Sequence, residues 1–83
     1  MTKEIKDLFS DKQYCLDEIC RIRHALSDKA ATRETFEKAI ETLIYMMLYC
    51  PEDIQGNVQA QLSETELRLT YYDVAFFKKV LKL

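Results

Sequence analysis

The sequence has very few of the residues that turn a chain. Its 83 residues include one Gly and one Pro. Sandwiches and barrels need turn signals about every 8–12 residues, so this scarcity argues against them. It argues equally against a flexible linker or a collagen-like chain. Cys15, Cys20 and Cys50 are odd in number and their spacing fits no disulfide framework. Long apolar runs are missing too. The longest, Leu43-Ile44-Tyr45-Met46-Met47-Leu48-Tyr49-Cys50, is too short to span a bilayer. The charged start, Met1-Thr2-Lys3-Glu4-Ile5-Lys6-Asp7, has no apolar signal core behind it. A net charge of −2 gives no broad pull toward nucleic acid or an anionic membrane. These absences predict reduced thiols, a cytoplasmic location, no membrane insertion and no bound cofactor.

What is present is a foldable balance, with 48% hydrophobic and 31% charged residues. The periodicity is helical, and it predicts an all-α single domain over 1–83: a compact bundle of three helices, or four with a kink or break near Ser63. A first helix is expected from about Lys3 to Leu26, capped by Thr2, with Ile5, Leu8, Phe9, Cys15, Leu16, Ile19 and Leu26 on one stripe. Ser10 and Gln13 read as a capping box that would restart or kink it. Thr32 is the expected cap of a second helix that buries Phe36, Ala39, Ile40, Leu43, Met47 and Cys50. Pro51 stops that pattern and suits the first turn of a third helix. Ser63-Glu64-Thr65-Glu66 resembles another helix start, which would split the third helix in two. Leu67-Arg68-Leu69-Thr70-Tyr71 alternates like a strand, but no partner strand or hairpin turn accompanies it.

The third helix carries two apolar stripes at 100° per residue. Val58, Leu62, Leu69, Tyr72, Phe76, Val80 and Leu83 share one side, enough to attach it to its own domain. Leu67, Tyr71, Val74, Phe77 and Leu81 lie roughly opposite. The spacings of four, three and seven along Leu67, Tyr71, Val74 and Leu81 match a short heptad seam, with Lys78 at the remaining position. On the second helix the polar face of Glu34, Glu37 and Glu41 continues into Tyr45 and Tyr49, and tyrosine suits interfaces. Tyr45, Tyr49, Leu67, Tyr71, Val74, Phe77 and Leu81 are therefore the candidate partner-binding residues. Their bland alternative is an irregular core buried by the domain itself. Residues 32–56 carry two bases against five acids, which reads as a solvated acidic face.

Catalytic and metal chemistry are thinly represented. Cys20 and His24 are spaced like two ligands on one helix face, but two make an incomplete set. There is no Gly-rich phosphate loop and no nucleophile elbow. No structural metal is expected. Arg21, Arg23, His24 and Arg33 cluster near the first connection, too few for duplex nucleic acid. Arg23 falls on the apolar stripe. Either its stem snorkels at the core edge, or it pairs with a carboxylate or an anionic ligand. The sequence thus points to a small cytoplasmic, non-enzymatic regulator (inhibitor, adaptor or chaperone) that binds protein, as a homo-oligomer. The alternative is a binder of a small anion such as a nucleotide through Arg21, Arg23 and Arg33.

Overall fold

The computed structural model describes residues 5–81, with the side chain of Ile5 left out. Thr2, Lys3, the Ile5 side chain and Leu83, all invoked above, lie outside that description. The described chain is all α: α1 Ile5–Phe9, α2 Lys12–Ser27, α3 Arg33–Tyr49, a 3-10 turn Glu52–Ile54, and α4 Gln55–Leu81. Four helices, three of them long, pack against one another, and the described residues contain no strand.

The fourth helix arises at Ser10, not at Ser63. The chain breaks after Phe9 because Asp11 caps a new helix: its carboxylate accepts from the backbone N–H of Gln13 at 2.9 Å and of Tyr14 at 3.2 Å. Ser10, the expected cap, instead donates its hydroxyl back to the carbonyl of Asp7 at 2.8 Å. Thr32 caps α3 as expected, with its backbone N–H donating to Thr35 Oγ1 at 3.1 Å. Pro51 ends α3 and leads into the 3-10 turn. From Gln55 onward α4 is one continuous helix of 27 residues. The apparent start at Ser63 is absorbed inside it. Thr65 donates to the carbonyl of Gln61 at 2.7 Å, and Glu64 pairs with Arg68 one turn on at 3.3 Å.

The core is formed by Phe9, Cys15, Ile19, Ile22, Leu26, Phe36, Ala39, Leu43, Met46, Cys50, Ile54 and Val58. Ile22, Met46 and Ile54 were not foreseen. Ile22 lies seven residues from Cys15, two turns along the same face; Met46 lies between Leu43 and Cys50 on the covered side of α3. The expected core members Ile40, Met47, Leu16 and Leu8 are only half-buried. The closest pairing is antiparallel, α3 against α4. The Phe36 and Tyr72 rings meet at 5.5 Å, and Arg33 at the start of α3 pairs with Asp73. Past that point α4 runs on alone. The molecule is accordingly long, 49 × 28 × 18 Å, with a radius of gyration of 14.5 Å. A compact domain of this length has a radius nearer 12 Å.

Candidate functional site

The free end of α4 is set by a mismatch of lengths. Alpha-helices rise about 1.5 Å per residue, so α4 is on the order of 40 Å long, while α3 spans about 26 Å. Since Arg33 and Phe36 sit opposite Asp73 and Tyr72, α4 outruns α3 by the eight residues Val74–Leu81. All eight are exposed, and at the root of the segment Phe76 and Phe77 line a hollow with Arg33 and Tyr72. Five of them are large and apolar: Val74, Phe76, Phe77, Val80 and Leu81, between 47% and 61% exposed. Phe76 and Phe77 touch only edge to face, with ring centroids 5.9 Å apart. Attachment of the whole first stripe to the domain is therefore corrected. Val58 is fully buried and Leu62, Leu69 and Tyr72 pack against the core, but Phe76 and Val80 do not.

The other candidate residues are exposed as well. Leu67 is 54% and Tyr71 66% exposed on the outer side of α4, in line with Val74, Phe77 and Leu81. Tyr45 and Tyr49 are about two-fifths exposed on α3. Ile44 and Leu48 stand beside them, the latter 66% exposed, and were missed. They belong to the apolar run 43–50, in which the covered and open sides of the helix are equally greasy. Hydrophobicity alone does not separate them.

Where α4 does pack, it buries polar groups. Gln61 and Thr65 are 3% and 0% exposed. The Arg23 Nε donates to Gln61 Oε1 at 2.8 Å, and Gln61 Nε2 donates to Thr65 Oγ1 at 3.3 Å. No buried side-chain nitrogen or oxygen among the described residues lacks a partner. This tie explains Arg23 on an apolar stripe: its guanidinium reaches across from α2 to an amide on α4.

The three arginines of the anion reading do not converge. Arg21 pairs with Glu18 and lines a hollow between α2 and α3. Arg23 lines another beside Cys20, Asn57 and Glu64. Arg33 pairs with Glu37 and Asp73 at the root of the free helix end. Among the described residues no three His, Cys, Asp or Glu side chains gather as a metal site, and no helix is long and apolar enough to cross a membrane.

The thiols are set by burial. Cys15 donates to the Phe9 carbonyl at 3.0 Å, and desolvation, with smaller contributions from Cys50, Asp11 and Glu18, pushes it up to about 11. Burial pushes Cys50 upward as well. Both shifts run opposite to the thiolate stabilisation that an activated cysteine needs. Cys20 is exposed.

Comparison with protein-family models, with curated proteins and with solved structures finds no match to this chain.

Proposed function

We propose that this chain is a small cytoplasmic regulator of the inhibitor, adaptor or chaperone type. It acts by binding protein, as a homo-oligomer, through the outer face and free end of α4. The observation that carries the reading is the segment Val74–Leu81, eight exposed helical residues, five of them large and apolar. These two turns extend an existing helix and need no new nucleus, but no packed apolar face supports them, and packing supplies most helical stability in proteins. Contiguous apolar surface of this kind marks interaction sites on soluble proteins. Burial of Cys15 and Cys50 opposes their ionisation, which supports a non-catalytic role for those two thiols.

The test is the size of the particle that the chain forms. Tagged chain in a native extract is expected to migrate well above its 9.8 kDa mass. Tyr71→Glu combined with Val74→Glu is expected to reduce it to that mass with its circular dichroism unchanged. A wild-type chain that runs as a monomer, and unfolds on this change, would make the stripe ordinary core and remove the reading.

A further inference from the structure

The uncovered face of α4 has features that specify its occupant. Leu67, Val74 and Leu81 repeat at seven residues, with Tyr71 between them and Phe77 at the flank, all on the side turned away from the core. At their observed exposures these five present roughly 600 Å², the upper end of what monomers leave open. A standard specific interface takes about 800 Å² from each partner, so this face with its polar flanks is the size of one complete half-interface.

Charge then sets direction. The outer end of α4 is basic, with Lys78 and Lys79, while its middle carries Glu64 and Glu66 around a single Arg68, which pairs with Glu64. A second α4 laid parallel would set Lys78 beside Lys78. Laid antiparallel about a two-fold axis at Tyr71, it sets Lys78 level with Glu64 and Leu67 level with Val74–Ala75. Leu81 comes level with the small, exposed Ala60, beside Gln61, which faces the core. The helix dipoles also oppose in this arrangement. The same patch serves both copies, as a closed two-fold interface requires. By the antiparallel alignment of α3 on α4, the partner's free end finishes at the height of Ile44 and Leu48, the other exposed apolar pair.

We infer that the chain forms a two-fold dimer in which the free end of each α4 lies antiparallel along the outer face of the other copy's α4. This rests on the reading that the α4 face binds protein, and it names a second copy as the occupant. Each free end thereby gains the cover that its own α3 is too short to give.

Light scattering with cysteine cross-linking tests it on the full chain, with Cys20→Ser removing the exposed native thiol. The expected mass is twice 9.8 kDa at micromolar concentration. Tyr71→Cys, at the axis, is expected to cross-link to its own copy. Leu81→Cys is expected not to, because the two positions lie about 30 Å apart. Leu81→Glu, on a side chain that touches no core residue, is expected to give a folded monomer. A dimer that cross-links through Leu81→Cys is parallel and overturns the inference. A monomer at a hundred micromolar overturns it too. If tagged chain in extract still migrates as a large particle, the protein-binding role survives with a different occupant; if it does not, both fall.

Discussion

The two ends of α4 invert the usual relation between polarity and burial. Its packed part encloses Gln61 and Thr65, while its free part exposes Phe76, Phe77, Val80 and Leu81. Burying an amide and a hydroxyl is tolerable only because Arg23, Gln61 and Thr65 satisfy one another. Exposing two turns of aromatic and aliphatic side chains has no such compensation inside the monomer. The contrast separates two roles along one continuous helix. The part through Asp73 serves the domain's own fold, through Val58, Leu62, Leu69 and Tyr72 and through the tie of Gln61 to Arg23 on α2. The last eight residues, Val74–Leu81, lie beyond that packing, and they are the surface that the proposed partner would cover.

Truncation at the core should break the contrast most severely. Leu43→Ala, at a side chain with 0% exposure, is expected to cost about 2–5 kcal/mol in urea unfolding at fixed protein concentration. Phe77→Ala should leave the fold of the monomer unaffected and act only on assembly. A chain ending at Asp73 carries this to its limit. It is expected to unfold cooperatively, having lost only the helical signal of the missing turns. If it failed to fold, the free end would belong to the core after all.

The polar tie should give the next largest effect. Thr65→Val removes the acceptor of Gln61 Nε2 inside the core, with an expected cost of about 1–3 kcal/mol. Adding Gln61→Leu should recover only part of it: the unsatisfied amide is gone, but the Arg23 Nε loses its acceptor and must turn to water. A double variant as unstable as the sum of the single ones would show that the tie does more than satisfy itself.

The sequence reveals the helical architecture well, because helix-period stripes and the caps Thr32 and Pro51 act locally. The break near Ser10 is also visible, one residue from its true cap, since Ser10 and Asp11 are both good capping residues and only geometry chooses between them. Ser63-Glu64-Thr65-Glu66 misleads for the converse reason. A capping box and a helix interior use the same residues, and here Thr65 and Glu64 find their partners within α4. The candidate site is legible as excess apolar residues on α4. What the sequence does not reveal is that α4 outruns α3. That depends on the alignment of Arg33 with Asp73, a contact between residues 40 apart. Gln61 and Thr65 as core residues were equally out of reach, since nothing local marks a polar residue for burial.

Thiol reactivity is a smaller effect. Cys20 should react with a disulfide reagent in the native protein, whereas Cys15 and Cys50 should react only on unfolding. The shift of Cys15 to about 11 also fixes a sign. A raised folded-state value means that stability is fully present below the ordinary thiol value of 9.0 and is lost as pH climbs from there toward about 11. Cys15→Ala should therefore flatten the alkaline limb of the stability curve, at the expense of a small cavity.

The smallest expected effect lies at the opposite end of the molecule from the free helix. Lys12 donates to Asp53 at 2.7 Å, joining the start of α2 to the turn after Pro51. That hydrogen bond, with a smaller coulombic contribution from the same lysine, holds the Asp53 carboxyl below its usual value, although the pair is well exposed to water. A lowered folded-state value stabilises the fold above the unfolded carboxylate value of about 4 and ceases to do so as pH falls through the folded one. Above pH 5, Asp53→Asn should barely move the thermal midpoint, because exposed pairs are screened and entropically costly. Below pH 4 the parent should lose stability faster than the variant. High salt should erase the difference, as it does for surface charges generally. If Asp53→Asn instead lowered the midpoint strongly at neutral pH, the join between α2 and the turn would be part of the core structure. The packed end of the molecule would then owe as much to its surface ties as to Leu43 and Val58.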